Sequence, residues 1–156
     1  MIEIQPAALG LSSVVEPILR ALPDWFGIEH ATQQYIHDAG ELPTLLAVDT
    51  ERDNLPVGFL TVKQHSADAA EIYVMGVLPA YHRRGVGRVL VEAAESYLRD
   101  RGVTFLQVKT LSAAHPDEGY GRTRAFYLAL GFKLLEEFPD LWGPANPCWL
   151  LIKTLT

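Results

Sequence analysis

Between residues 70 and 109 the hydrophobic pattern switches from strand to helix and back to strand, an order that leaves few folds open. Ala70 to Leu78 reads as a strand closed by Pro79, which has no N–H to give to a ladder. From Gly85 to Arg101, Val86, Val89, Leu90, Ala93, Ala94, Tyr97 and Leu98 fall on one helical face, with Arg88, Glu92, Glu95 and Arg99 on the other. Glu95 and Arg99 are placed to form an i,i+4 ion pair. Gly102 stops the helix, and Val103 to Lys109 is apolar enough for a buried strand. Strand, helix, strand in this order predicts a parallel pair with a right-handed crossover.

The flanks predict antiparallel partners for that pair. Met1 to Gln5 reads as a short edge strand stopped by Pro6. Leu42 to Thr50 and Val57 to Gln64 form a hairpin about the turn at Arg52 to Pro56. Leu11 to Leu22 carries the spacing of an amphipathic helix, kinked or split at Pro17, and Ile28 to Ala39 is a second short helix ended by Gly40. Thr110 to Gly119 has the composition of a loop, Thr123 to Leu130 is a short helix capped by Gly131, and Phe132 to Phe138 and Trp149 to Leu155 are the last strands. The expectation is an α/β fold with a mixed, mostly antiparallel sheet of about seven strands and about four helices. A chain of 156 residues is the size of one domain, spanning residues 1–156.

A formal net charge of −6 argues against a general grip on nucleic acid, which needs a basic face. One confined positive spot, His82, Arg83 and Arg84 with Arg88, points instead to a small anionic ligand. The single cysteine, Cys148, forms neither an internal disulfide nor a CxxC metal site, which suits a reducing compartment. The start has no basic segment before an apolar run, and no stretch approaches 18 apolar residues, so a cytoplasmic protein with no membrane partner is expected. His30 and His37 are spaced beyond a paired i,i+4 metal site and the other histidines are scattered, so no metal is expected.

The positive spot coincides with the junction between strand and helix. A helix start offers free N–H groups and the positive end of a dipole, glycines let a phosphate approach the main chain, and arginine bridges phosphate oxygens. Gly85-Val86-Gly87 lacks the third glycine of a dinucleotide fingerprint because Leu90 stands there, and the chain has no GxxxxGK[ST]. A pyrophosphate cradle fits better than either. A tight turn with solvated arginines is the plainer alternative.

Val77-Leu78-Pro79-Ala80-Tyr81-His82-Arg83-Arg84-Gly85-Val86-Gly87 resembles the coenzyme-binding motif of the GNAT superfamily of N-acetyltransferases. Arg124-Ala125-Phe126-Tyr127-Leu128-Ala129-Leu130-Gly131-Phe132 is similar to the second signature of that family, a helix with a tyrosine four residues before Gly-Phe. The resemblance spans roughly residues 42 to 138. It implies a GNAT-like sheet with a central splayed parallel pair, acetyl-CoA as co-substrate, and direct transfer of acetyl to an amine in a ternary complex. The main chain of Met75, Gly76 and Val77 would pair with the pantetheine arm, and Arg83, Arg84, Gly85, Val86, Gly87 and Arg88 would hold the pyrophosphate. Gly76 in a strand suits a close approach of another backbone. Tyr127 takes the position of the proton donor to the departing thiolate. His82 replaces the usual glutamine or arginine, and Tyr120 replaces a frequent asparagine.

The general base has no marked position. Glu71 is the first candidate, directly or through water, with His115 or Glu118 as alternatives. Trp25 and Phe26, with Tyr35, sit where the early helices of the family roof the acceptor site, and Trp142 belongs to a segment suited to its far wall. Core packing competes for each. Cys148, flanked by proline and tryptophan, reads as a small buried hydrophobe rather than a nucleophile. The expected acceptor is a primary amine of a small molecule or peptide, and the expected state a monomer or homodimer. A non-catalytic acyl-CoA-binding sensor is the runner-up.

Overall fold

The computed structural model describes residues 1–156. One sheet carries seven strands, β1 (Ile2–Ile4), β2 (Thr44–Asp49), β3 (Leu55–Gln64), β4 (Ala69–Val77), β5 (Phe105–Leu111), β6 (Lys133–Phe138) and β7 (Cys148–Thr154). Their spatial order is β1-β2-β3-β4-β5-β7-β6, and only β4 and β5 run parallel. Four helices cover the sheet: α1 (Ser12–Arg20), α2 (Glu29–Glu41), α3 (Val86–Arg99) and α4 (Glu118–Ala129). The strand-helix-strand unit read from residues 70–109 is β4-α3-β5, and the hairpin β2-β3 turns through Asp53 and Asn54, both at positive φ.

Each face of the sheet has its own core. Leu90, Val91, Ala94 and Leu98 of α3 pack on Ala70, Ile72, Leu106 and Val108, joined by Tyr127 and Phe132. Across the sheet, Val15, Ile18, Leu19 and Leu22 lie with Ala39 against Leu46, Val48, Phe59 and Val74. Each fully buried leucine, isoleucine or phenylalanine contributes about 1.5–3 kcal/mol relative to an exposed one.

What positions a site is an interruption in the middle of the sheet. β4 and β5 pair from Ala69↔Phe105 to Ile72↔Val108 and no further, although β4 continues to Val77 and β5 to Leu111. In the β3-β4 ladder Thr61 faces Val74 while Val62 faces Ile72, which leaves Tyr73 without an opposite residue. Such a bulge bends its strand and ends pairing. Beyond it β4 follows β3 and β5 follows β7 as far as Leu111↔Cys148, so a wedge opens between the parallel strands.

Several local expectations are corrected. α1 stays one helix, because Pro17 lies in its second turn and displaces a single backbone bond near the N-terminus. Gly40 lies inside α2 rather than ending it; a Cβ there would come within 2.5 Å of Ser12 Oγ, so the glycine admits α1. α4 begins at Glu118, five residues before the expected start, because the Asp117 side chain accepts a hydrogen bond from Tyr120 N at 3.1 Å and caps it. β5 extends through Thr110 and Leu111, which had read as loop. Glu95 is buried rather than solvated: it pairs with Arg99 at 3.2 Å and also with Lys153 of β7 at 2.7 Å.

Candidate active site

The wedge opens into a cavity of about 510 Å³. Met75, Gly76 and Val77 line it from β4, Val108, Lys109 and Thr110 from β5, and Gly119 to Tyr127 of α4 and the Trp25-Phe26 segment close over it. A second hollow of about 420 Å³ lies around Gly85, Val86, Gly87 and Arg88, and shares Val77, His82, Arg83 and Phe126 with the first. The two together form a trough from the helix start to the sheet interior.

At the helix start, Gly85 precedes α3 in the left-handed region at φ 79° and supplies no side-chain cap, so the first-turn N–H groups of α3 are free for a ligand. A Cβ on Gly85 would meet nothing, so glycine is required there by φ alone. A Cβ on Gly87 would lie 3.1 Å from the Phe126 ring, so this glycine lets α4 close on α3. Arg83, Arg84 and Arg88 are exposed, and Arg84 stacks over the Tyr81 ring at 4.8 Å. The Tyr81 hydroxyl donates to Asp49 at 2.6 Å and fastens the turn to β2. The Val86 side chain belongs to the core, leaving its main chain to face a ligand. His82 donates through Nε2 to the Val77 carbonyl at 2.6 Å and meets Trp25 edge-on, so the residue that departs from the family motif braces the turn.

Leu78 N–H donates to Val57 on β3, and backbone groups alternate along a strand, so the N–H groups of Met75 and Val77 face the wedge. Gly76 also has a packing reason of its own, since a Cβ there would lie 2.9 Å from Leu22 and 3.2 Å from Phe59. Across the wedge, Thr110 Oγ1 is buried without a hydrogen-bond partner. A buried orphan hydroxyl costs about 1–3 kcal/mol, which an acyl chain bearing amides and a carbonyl would relieve. The uncapped helix start, the two free strand amides and this hydroxyl together fit a phosphorylated pantetheine thioester.

Tyr127 lines the same cavity at 5% exposure, its ring set edge-on against Phe126 and Phe132. Burial pushes its phenol well above the ordinary tyrosine value, so it stays protonated at neutral pH. Tyr120 is turned to another use than the asparagine it replaces: its hydroxyl donates to the Trp25 carbonyl at 2.8 Å, tying α4 to the segment after α1, and burial pushes it up to about 12.

At the far end stands Glu71, 5% exposed and lining the cavity. His65 Nε2 lies 2.7 Å from its Oε1, and Lys109 Nζ lies 3.3 Å from both oxygens. Trp25, Phe26, Tyr35 and Trp142 also line the cavity, so the sequence-derived roof residues and Trp142 converge on one space. Tyr73 donates to Asp38 of α2, and burial raises its phenol. Neither His115 nor Glu118 is in the lining, and His115 Nδ1 accepts from Asp117 N. Burial pushes the Cys148 thiol up to about 11, which keeps it from acting as a thiolate. Sequence reasoning missed His65, Lys109 and Thr110. Alternation along β4 and β5 was the available signal, but it needs the register that sets Glu71 opposite Gln107.

A mixed seven-stranded sheet, splayed at its parallel pair beside an uncapped, arginine-flanked helix start, is the arrangement of the GNAT fold. A model described as the acetyltransferase (GNAT) family matches residues 15–132, and the chain belongs to that family. It is 38% identical to a mycothiol acetyltransferase of Rhodococcus erythropolis over 85 residues, 49% of this chain and 28% of the relative. It is 30% identical to an uncharacterised N-acetyltransferase of Chlorobaculum tepidum over 95 residues, 59% of this chain and 54% of the relative. The chain thus matches only about a quarter to a half of these relatives' length. Among solved structures, a GNAT-family acetyltransferase from Desulfovibrio desulfuricans superposes with a TM-score of 0.82 at 15% identity, covering 100% of both chains. An aminoglycoside 6'-N-acetyltransferase complexed with coenzyme A superposes with a TM-score of 0.75 at 19% identity, covering 99% and 97%. At these identities the likeness is one of fold. No helix is long and apolar enough to cross a membrane.

Proposed function

We propose that this protein is an N-acetyltransferase that moves acetyl from acetyl-CoA to a primary amine by direct attack in a ternary complex. The observation that carries the reading is the trough that joins the free N-terminus of α3 to the wedge between β4 and β5, with a protonated Tyr127 at one side and the buried Glu71 at the far end.

Arg83, Arg84 and Arg88, with the main chain of Gly85, Val86 and Gly87, would hold the pyrophosphate. The N–H groups of Met75 and Val77 and the Thr110 hydroxyl would hold the pantetheine arm, with Gly76 setting the packing beneath it. When bound, the coenzyme supplies an activated acyl group as a thioester. Trp25, Phe26 and Trp142 wall the acceptor, excluding water and orienting the amine. Glu71 takes the proton that the amine nitrogen loses as its bond to the acyl carbon forms, and His65, 36% exposed, passes it to solvent. Tyr127 gives its proton to the sulfur as the carbon–sulfur bond breaks, and recovers one from solvent after product release.

A thermal-shift and mass-spectrometric screen of acetyl-CoA with a panel of amines tests the reading. Acetyl-CoA should raise Tm, and at least one amine should gain an acetyl group in an enzyme-dependent way. A Tm shift with no acetylated amine would leave the non-catalytic sensor in its place.

A further inference from the structure

The charge of the acceptor end is opposite to that of the protein. Glu71 is the single carboxylate in the cavity lining, and His65 and Lys109 already engage it at 2.7 and 3.3 Å. Lys63 reaches the same end from β3, at the position paired with Glu71 in the ladder, and its ammonium stands 5.4 Å from the centroid of the Tyr73 ring. Arg122 adds a further positive charge from α4. No carboxylate lies within 4.0 Å of the Lys63 or Arg122 side chain, whereas Lys109, Arg99 and Lys153 are all paired. Asp38 of α2, the acid that faces Tyr73, is outside the lining and accepts hydrogen bonds from the Tyr73 hydroxyl and the Gln34 amide.

A polycationic acceptor entering this space would meet three cations and one carboxylate that is already shared. An amine bearing a negative group meets the reverse: its nitrogen finds Glu71 and its anion finds an unpaired ammonium, inside walls that exclude part of the screening water. Building on the N-acetyltransferase reading above, we propose that the acceptor is a small amine that also carries a carboxylate or phosphate, with the amine at Glu71 and the anion at Lys63. Lys63 and Glu71 are partners in the ladder, which suits an amine and an anion close together in the acceptor, and the aromatic faces of Trp25, Phe26 and Tyr35 line the same cavity for an apolar body beside them.

The test is a set of steady-state rates with acetyl-CoA and acceptors matched in amine but not in charge. The pairs are phenylalanine with phenylalanine amide and phosphoethanolamine with ethanolamine, with spermidine and kanamycin as polycations, and rates are compared per unprotonated amine. In at least one pair the anionic member should be preferred by about tenfold or more in kcat/KM, a difference of about 1.4 kcal/mol. The two pairs distinguish carboxylate from phosphate. Lys63→Met should raise KM for the preferred anionic acceptor by about tenfold while its neutral partner and the acetyl-CoA affinity change by less than about twofold. Preference for neutral or polycationic acceptors overturns the proposal and leaves the enzyme reading standing. So does an equal effect of Lys63→Met on both members of a pair. If acetyl-CoA binds and no amine is acetylated, the enzyme reading itself falls, and the substrate class with it.

Discussion

Tyr127 and Thr110 face one cavity from different elements, and each carries a test that separates chemistry from packing. Tyr127→Phe keeps the ring between Phe126 and Phe132 and removes only the proton, so kcat should fall by about 10²- to 10⁴-fold with little change in coenzyme affinity. Full kcat under conditions where chemistry limits the rate would make the phenol structural. Thr110→Val removes a hydroxyl that has no partner, so Tm of the free protein should hold or rise while calorimetry finds weaker acetyl-CoA binding. A fall in Tm with unchanged affinity would contradict the role given to it. The Asp49 carboxyl is held below the usual range, first by the Tyr81 hydroxyl and then by Glu51 N and nearby cations. That stabilisation is complete above about pH 4, the unfolded carboxylate value, and is lost as pH falls through the lower folded one. The Tm gap between wild type and Tyr81→Phe should therefore narrow in acid below pH 4, and a constant gap would show that the bond does not depend on ionised Asp49. At this scale the sequence marked Tyr127 and Glu71 but passed over His65, because a histidine in a polar loop carries no signal until the turn after β3 folds it onto Glu71.

Elements were legible where one period ran long enough. The recurrence of Val86, Leu90, Ala94 and Leu98 at every fourth residue, on one helical face, left little choice for α3, and Pro79 marked the end of β4. The start of α4 was misread because Gly119 and Gly121 lower helix propensity, while the Asp117 cap that overrides them looked like a loop residue. The bulge at Tyr73 is invisible in the sequence, since it exists only in the register between β3 and β4, and the wedge depends on it. The junction of β4 with α3 carries its own prediction. Gly87→Glu puts a carboxylate at the free helix start and pushes on Phe126, so acetyl-CoA affinity should drop by about tenfold or more in calorimetry, given a folded variant. Equal affinity of two folded proteins would remove the pyrophosphate from this turn.

For the whole molecule, composition foretold an acidic surface with one basic spot, and the fold concentrates further positive charge where composition could not show it, inside the cavity. The fold class was legible because β4-α3-β5 fixes a parallel pair, whereas the second crossover, β5-α4-β6, joins strands that run the same way on either side of β7, an insertion the strand order along the chain does not reveal. Which residues share the cavity was not, because Lys63, Trp25, Arg122 and Trp142 come from four distant stretches of chain. The sheet is mechanically two leaves, β1 to β4 and β5 to β7, stitched together by only four residue pairs. Acetyl-CoA lying in the wedge would lace the loose margins, so hydrogen exchange at Met75, Val77 and the end of β5 should slow on loading, while the β2-β3 ladder keeps its rate. Unchanged exchange at those amides in a saturated complex would place the ligand elsewhere. In that mechanical sense the proposed co-substrate would also be a missing rung: the protein would be stiffest when charged with it and slacken as product leaves, and a compound that fills only the pyrophosphate cradle would leave the leaves unlaced.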